Sequence, residues 1–289
     1  MKKVILGVVS LAFVAVVFMS FQKEDESQTR TIVNNMLTAI RTYKGAKFTM
    51  GNNERIVGVK GLRGGNIYTK VQVSPLKVYM KMVTDPNKDT EILYVPTERD
   101  GKALIKPGNL FFNVKLSPFN GQVTKEQHHS PVSAGFGLVV KIMDAAVKRA
   151  DAEKKFDEVF KYVGDVTYQN KSCYKVVIED PTWAITTYKA GKGENMYSVS
   201  QKLLIPEYSL TELNGVKNFE EDLSGRTLKV PTSYAKKTVF YIDKSNNFPI
   251  FQEMSDDKGV FERYEFSNLI LNPTFAADEF TENFKGYGF

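Results

Sequence analysis

The chain has 289 residues, of which 42% are hydrophobic and 12% aromatic, so it can bury a large core and is not expected to be disordered. Its formal net charge of +6 favours anionic neighbours such as lipid headgroups or acidic glycans, whereas its scattered lysines argue against nucleic acid as a partner. The single cysteine, Cys173, excludes an internal disulfide and is typical of a small buried side chain.

An apolar segment follows the first three residues. Residues 4–21 carry no charge and come directly after Met1-Lys2-Lys3, which is the pattern of a secretory signal peptide. Ser20 is the plausible small residue for cleavage, and because the cleavage pattern is poor, an uncleaved membrane anchor is the alternative. No cysteine lies near the end of this segment, so lipid attachment is not expected. Residues 1–21 therefore predict an exported protein, periplasmic or associated with the cell envelope.

The residues that follow predict one helix and then a sheet. Apolar residues from Ile32 to Ile40 recur at helical spacing. From Lys47 the period changes to two, in runs around residues 67–73, 78–82 and 112–116, and turns rich in glycine, proline and aspartate separate these runs. The pattern predicts an antiparallel meander with one apolar face.

Both histidines of the chain, His128 and His129, stand side by side in a polar loop. Adjacent side chains usually point apart, and neither further metal ligands nor a nucleophile lie close to them in the sequence. A role in helix entry or in a lid loop is therefore favoured over chemistry. No metal, no cofactor and no catalytic residue is predicted.

Two helices are predicted between residues 136 and 163. One apolar stripe runs from Phe136 to Val147, and a second, from Phe156 to Phe160, is expected to continue as a helix ending at Gly164. The aromatic and methionine side chains of these stripes could line a lipid cavity or could simply fill the core.

Residues 188–231 read as a small module inserted between strands of the same character. A short strand is predicted at residues 188–190, a helix begins near Asn195 and is stopped by Pro206, and a second helix begins at Ser209. Asn214-Gly215 ends that helix, and a returning strand follows at residues 227–231. The predicted order is strand, helix, helix, strand.

This order, with its Gly-Lys-Gly-Glu-Asn loop, resembles a lysin motif (LysM). The resemblance implies binding of peptidoglycan or another N-acetylglucosamine-containing glycan in a shallow groove between two loops. The implied glycan-binding residues are Gly193, Glu194, Asn195 and Met196 in the first loop and Asn214, Gly215, Val216 and Lys217 in the second. The acidic residue usual after the glycine is present as Glu194, but Asn195 stands where threonine is common.

The C-terminal residues resemble a family that covers most of the chain. Residues 241–250, 257–266 and 271–273, with the closing Phe280, Asn283 and Tyr287-Gly288-Phe289, are similar to the domain-of-unknown-function 1571 family of bacterial envelope proteins. The resemblance implies a fold like that of periplasmic lipoprotein carriers. The expected fold class is α+β, a curved antiparallel β half-barrel with helices packed on its concave face, plus a small inserted βααβ module.

The resulting domain assignment has four parts. Residues 1–21 form the signal peptide or anchor, residues 22–187 the first part of the half-barrel, residues 188–231 the LysM-like insert and residues 232–289 the second part of the half-barrel. We expect a non-enzymatic envelope protein that binds glycan through the insert and holds a lipid or a lipidated protein in the half-barrel. The alternative is an envelope scaffold with a solid core.

Overall fold

An open antiparallel sheet, with two helices packed on one face, makes up most of the chain. The computed structural model describes residues 27–108 and 110–289, so the predicted signal peptide or anchor lies outside the described residues. The helices are α1 (Gln28–Thr42), α2 (Gly137–Ala152), α3 (Phe156–Val159), α4 (Met196–Leu203) and α5 (Glu207–Asn214).

The strands are β1 (Gly45–Arg55), β2 (Leu62–Gln72), β3 (Lys77–Met82), β4 (Glu91–Tyr94), β5 (Ala103–Lys106), β6 (Val114–Leu116), β7 (Phe160–Tyr168), β8 (Lys171–Glu179), β9 (Ile185–Lys189), β10 (Thr227–Pro231), β11 (Lys237–Asp243), β12 (Pro249–Asp256) and β13 (Gly259–Leu271). Within the described residues, eleven of them form one sheet in the order β6-β5-β4-β3-β2-β1-β13-β12-β11-β8-β7. Every neighbouring pair is antiparallel, and the first and last strands do not pair with each other.

The sheet curves around its helices. Inward-facing residues from β5 near one edge, such as Ile105, share one buried cluster with Phe160 of β7 at the other edge and with Met36 of α1. Strands lie about 4.8 Å apart, so a flat sheet of this size would be roughly 50 Å wide and its two edges could not meet the same helices. The predicted α+β class with a large, unclosed antiparallel sheet is confirmed.

Helix α1 follows directly from its sequence. The Ser27 side chain accepts a hydrogen bond from the Arg30 amide at 3.2 Å, which satisfies one of the free donors at the helix start. The apolar stripe predicted from residues 32–40 is the buried face of this helix. Helix α1 packs beside α2 inside the curve of the sheet.

The second predicted helix, from residue 156 to Gly164, is wrong. Helix α3 is a single turn, and the chain enters β7 at Phe160. Burial then alternates along residues 160–168, which is the period of a strand rather than that of a helix. Gly164 lies inside β7 with a φ of 113°, where the register with β8 shifts.

The single apolar face predicted for the meander also needs correction. All four residues of β4 are buried. Leu93 and Leu104 point away from the helices into a second apolar cluster, which also contains Phe280 of the C-terminal segment, residues 272–289 after β13. Because both faces are covered, β4 and β5 are short continuous apolar runs without alternation, and the period-two pattern did not identify them.

Residues 185–231 form a small unit beside the large sheet. Strands β9 and β10 pair with each other, and with α4 and α5 they enclose a separate apolar cluster that contains Val199, Leu210 and Leu228. Asn195 caps α4, but this helix ends at Leu203 rather than at Pro206. Helix α5 begins at Glu207, two residues before the predicted Ser209 cap.

Candidate functional site

A cavity lies between the concave face of the sheet and the segment that covers it, residues 117–136 between β6 and α2, which we call the covering loop. Alternate residues of β1 face this side, and their character changes along the strand from Phe48 and Met50 to Asn52 and Glu54. Strand β13 pairs with β1 and shows the same change from apolar to polar side chains. Phe266 pairs with Met50, Tyr264 with Asn52 and Glu262 with Glu54. The cavity therefore has one apolar end and one polar end.

The apolar end is closed by β2, β3 and α2. Its walls carry the aliphatic and methionine side chains Ile67, Met80, Met82, Ile92, Leu138, Val139 and Ile142. Residues 131–135 complete the roof before α2 begins at Gly137. The volume of this space is about 100 Å³.

Thr69 is a polar exception in the apolar wall. It is 1% exposed, and within the described residues its hydroxyl has no hydrogen-bond partner. A buried hydroxyl without a partner costs about 1–3 kcal/mol. A ligand carbonyl or hydroxyl in the cavity would supply the missing partner.

A second space, the vestibule, adjoins the cavity where its apolar and polar walls meet. It has a volume of about 520 Å³ and shares Asn52, Ile67, Met82 and Gln127 with the cavity wall. The Asn52 side-chain Nδ2 donates to Gln127 Oε1 at 3.3 Å. Since Asn52 lies on the sheet and Gln127 on the covering loop, this hydrogen bond spans the boundary between the vestibule and the cavity.

The covering loop is held down by a cluster of buried charges, which we call the histidine–glutamate cluster: Glu54, His128, His129, Glu207 and Glu262. His128 Nδ1 lies 2.8 Å from Glu262 Oε1, and its Nε2 lies 2.8 Å from the Arg55 carbonyl oxygen. The His128 amide donates to Glu54 Oε2 at 3.0 Å. Burial lowers the pKa of His128, but Glu54 and Glu262 outweigh it and the net pKa is raised.

His129 joins the same carboxylate from the other side and lines the cavity. Its Nε2 lies 3.5 Å from Glu262 Oε1, and its Nδ1 lies 3.3 Å from Glu207 Oε2 at the start of α5. Burial opposes the imidazolium, yet Glu262 and Glu207 raise the pKa of His129 well above its ordinary value. The expectation that the two histidines point apart is wrong, because both reach Glu262.

Two tyrosines complete the hydrogen bonding of the carboxylates. Tyr234 donates to Glu262 Oε2 at 2.9 Å, and Tyr264 donates to Glu54 Oε1 at 2.7 Å. Burial raises the pKa of both phenols, so they remain neutral donors. Burial also opposes the charge of Glu262, but His129 and His128 lower the pKa of its carboxyl to about 2. The cluster is a set of buried ion pairs that fastens the covering loop and α5 to the sheet.

Among the described residues no three or more histidine, cysteine, aspartate or glutamate side chains are placed to hold a metal ion. The Cys173 thiol is buried in β8, and burial raises its pKa, which disfavours the reactive thiolate.

The eight predicted glycan-binding residues lie around the two loops of residues 185–231, but most of their side chains already have partners. Met196 and Val216 are buried in the unit's own apolar cluster. Asn195 Oδ1 accepts from the Ser198 amide at 2.9 Å as the cap of α4. Asn214 exchanges two hydrogen bonds with the backbone of Lys229.

Glu194 is also engaged within the unit, through Lys202 at 2.7 Å and the Gly191 amide at 2.7 Å. These contacts, Lys202 first, lower the pKa of its carboxyl to about 2. Gly193, Gly215 and Lys217 are exposed, so backbone contacts and one lysine are what the two loops offer to a glycan.

Sequence reasoning missed the carboxylates of the cluster. Glu54 and Glu262 occupy inward-facing positions of strands that otherwise present apolar or aromatic side chains. A charge on the core face of a strand is uncommon unless it is paired, and this was the available signal. Glu207 gave no comparable signal, since acidic residues are ordinary in the first turn of a helix.

The family model "Protein of unknown function (DUF1571)" matches residues 43–210. No curated protein sequence matches the chain.

Among solved structures, the chain is similar to the Mycobacterium tuberculosis lipoprotein LppX, with 9% identity, a TM-score of 0.41, and 86% of this chain and 97% of that chain covered. It is also similar to LprF from Mycobacterium bovis, with 12% identity, a TM-score of 0.41, and coverage of 86% and 94%. A putative outer membrane lipoprotein-sorting protein domain from Vibrio parahaemolyticus shows 10% identity, a TM-score of 0.35, and coverage of 88% and 96%. Identities and scores this low transfer no function.

Proposed function

The chain belongs to the DUF1571 family, whose function is unknown, and from that premise we propose that it is a non-enzymatic, exported envelope protein that holds an apolar chain in its half-barrel. This apolar chain would be the hydrocarbon chain of a lipid or the acyl group of a lipidated protein. The observation that carries the proposal is the cavity beneath α2, which is lined by aliphatic, methionine and phenylalanine side chains and contains the unpartnered hydroxyl of Thr69.

The polarity of the walls defines the orientation of such a ligand. Its apolar chain would lie against β2, β3 and α2, where burying each methylene group contributes about 0.8 kcal/mol. Its polar group would lie beyond Asn52 and Gln127, among the polar walls of the vestibule. A polar group attached near the buried end of the chain would instead reach Thr69.

The size of the space favours a chain that occupies both compartments. Ligand pockets usually enclose about 300–1,000 Å³, and the inner cavity of about 100 Å³ is smaller than that. With the vestibule of about 520 Å³ the total falls within this range. The inner cavity would accept the end of the chain, and the vestibule would accept the rest.

In this proposal the histidine–glutamate cluster holds the roof of the site in place. His128 and His129 lie only a few residues before the roof segment 131–135, and His129 itself lines the cavity. The ion pairs with Glu262 and Glu207 therefore determine how closely the covering loop approaches the sheet.

An envelope scaffold with a solid core is the second candidate, and the small inner volume of about 100 Å³ is the observation that favours it. Native mass spectrometry of protein purified from the cell envelope separates the two. Mass increments of a lipid or an acyl chain support the carrier. Their absence, together with failure of delipidated protein to bind a fluorescent fatty acid, supports the scaffold.

A cavity-filling variant ties such binding to the site. Leu138 lines the cavity, so Leu138→Trp should fill it and weaken fatty-acid binding by at least about tenfold, while Lys141→Trp on the exposed face of α2 should bind like the parent. Equal binding by both variants would place the fatty acid elsewhere and remove the cavity from the proposal.

Peptidoglycan binding by residues 188–231 is a separate proposal, supported by the LysM-like sequence and by the exposed backbone at Gly193 and Gly215. In pull-down on purified peptidoglycan, the parent should be retained with a dissociation constant of roughly micromolar to millimolar. Lys217→Trp, which places an indole over the second loop, should lower retention, whereas Lys189→Trp on exposed β9 should not. If the parent passes through unretained, the unit is a spacer or a docking element.

A further inference from the structure

Three turns of the large sheet lie at the same end of the molecule: residues 56–61 between β1 and β2, residues 83–90 between β3 and β4, and the described residues 107–108 and 110–113 between β5 and β6. The chain reverses direction at each turn between antiparallel neighbours, so β1, β3 and β5 run in the same direction. The turns that follow these three strands therefore lie at the same end of the sheet. The second and third turns touch, since the Gly108 amide donates to the Thr90 hydroxyl at 3.2 Å. We call these three turns the turn face.

The turn face exposes an unusual amount of apolar surface. Phe111 is fully exposed at 106% and Phe112 is 59% exposed, next to Leu110 at 38%. Val57 and Val83 on the other two turns are 52% and 43% exposed. Within the described residues these are five of the nine large apolar side chains that are exposed, so the exposure is concentrated at one end of the sheet rather than scattered.

Basic residues surround this apolar surface. The segments 56–63, 83–90 and 106–115 contain five basic residues, Lys60, Arg63, Lys88, Lys106 and Lys115, and two acidic ones, Asp85 and Asp89, giving a local net charge of +3. One of the two acids is partly neutralised, because Asp89 lies 3.7 Å from the Lys81 ammonium. The face is thus apolar at its tips and cationic around them.

This combination fits an anionic lipid bilayer better than a protein. The side chains project from three separate turns instead of lining a groove, and a bilayer accepts projecting aromatic side chains without requiring a matching shape. Each lysine or arginine near an anionic leaflet contributes additional attraction. A protein partner would need pockets matched to each turn.

Two of the three turns border the vestibule. The vestibule walls include Val59 of the first turn, residues 84–87 of the second turn, and Arg63 beside the first turn. A lipid chain that leaves a bilayer at these two turns would therefore reach the vestibule, which shares wall residues with the cavity.

We propose that the protein docks on anionic lipid bilayers through the turn face, with Phe111 and Phe112 inserted among the lipid chains and the surrounding lysines and arginine against the headgroups. Docking stands independently of the cavity. The passage of a ligand from the bilayer into the vestibule rests on the proposed lipid-binding function.

Site-specific fluorescence quenching tests the docking. Phe111→Trp and, as a matched control, Val163→Trp place an indole at exposed apolar positions, the control lying in β7 away from the turn face. Each protein is mixed with phosphatidylglycerol vesicles whose chains carry bromine, and the parent gives the background of Trp183. We expect strong quenching of the Phe111→Trp protein and quenching at the parent's level for Val163→Trp.

A charge-reversal variant tests the contribution of the basic residues to docking. Lys106→Glu combined with Lys115→Glu in the Phe111→Trp protein should weaken the apparent partitioning into these vesicles by at least about tenfold, since each lysine contributes roughly 1 kcal/mol near an anionic surface. Replacing phosphatidylglycerol by phosphatidylcholine should have a similar effect.

Equal quenching of Phe111→Trp and Val163→Trp would overturn the proposal, and the exposed tips would then be left for a protein partner. Undiminished partitioning after charge reversal would also contradict it. Fatty-acid binding by the cavity is measured without vesicles, so failure of docking and failure of the proposed function give different results.

Discussion

The two faces of the sheet each carry a buried ionic cluster that fastens a covering segment, but the two clusters use different cations. On the concave face, His128 and His129 share Glu262 and hold the covering loop. On the convex face, Lys47 and Lys70 approach Glu279 Oε1 at 2.6 Å and 3.0 Å and hold the C-terminal segment. An imidazolium can lose its charge near neutral pH, so the concave cluster responds to pH in that range.

Aromatic rings replace polar partners on the convex face. The Lys70 ammonium lies 4.5 Å from the ring centre of Phe284 and 4.9 Å from that of Tyr287, and Tyr287 stacks on Tyr79 at 3.7 Å. These rings stabilise the cation by cation–π attraction. The comparison teaches that one covering segment is fastened through lysines and aromatic rings, while the other, which covers the cavity, is fastened by histidines that respond to pH.

Removing the shared carboxylate of the concave face should have the largest effect. Glu262→Gln leaves two buried imidazoles without their common partner, and we expect a loss of about 3–5 kcal/mol in the free energy of unfolding, measured by urea denaturation. Glu253→Gln on neighbouring β12 breaks the partly exposed pair with Arg263 and should cost about 0–1 kcal/mol. Similar losses in both variants would show that the concave cluster contributes little.

The corresponding change on the convex face should cost less. Lys70→Met removes an ammonium that is 9% exposed, but Glu279 keeps Lys47 at 2.6 Å. We expect a loss of about 2–3 kcal/mol in the same measurement. A loss larger than that of Glu262→Gln would show that the convex cluster contributes more to the free energy of unfolding than the concave cluster.

The pH dependence of stability should distinguish the two faces directly. The folded-state pKa values of His128 and His129 are raised, so their contribution is complete below the ordinary value of 6.5 and is lost as pH rises through the folded values. Glu262 has its pKa lowered to about 2, so its contribution is complete above about 4.5 and is lost as pH falls toward 2. Stability should be highest between these two ranges.

Replacing both histidines isolates the alkaline part of this dependence. In His128→Gln with His129→Gln, urea denaturation midpoints should no longer fall as pH rises above 6.5, although the protein is less stable throughout. Lys70→Met should retain the parent's dependence in this range, since it leaves both histidines and their carboxylate partners in place. A parent whose stability is constant from pH 6 to 9 would contradict the assigned protonation of the histidines.

Much of the sheet could be predicted because period-two alternation indicates a strand with one buried face. The alternation correctly predicted strands around residues 67–82, which form β2 and β3. It failed at β4 and β5, where the C-terminal segment covers the second face and removes the alternation. The prediction also failed at Phe160. The single helical turn of α3 places apolar residues at helical spacing just before β7, so the sequence predicted a longer helix.

The candidate site was far less predictable, because its residues are distant in sequence. Glu54, His128 and Glu262 meet only after β1 pairs with β13 and the covering loop folds over both. The aromatic and methionine stripe of residues 136–147 suggested either a cavity or ordinary core packing, and in the structure Val139 lines a space while Phe136 and Met143 lie in the core. Helical periodicity alone does not separate those two roles.

The smallest effect should come from Lys47, the outer cation of the convex cluster. Its side chain is 22% exposed, compared with 9% for Lys70, so solvent screens its attraction to Glu279 more strongly. After Lys47→Met, Lys70 still neutralises the buried carboxylate, and the expected loss in the free energy of unfolding is within about 1 kcal/mol. Lys47→Met combined with Lys70→Met should cost more than the two single losses added, because only then is Glu279 left without a cation. Simple additivity in urea denaturation would show that the two lysines act independently and that Glu279 finds another partner.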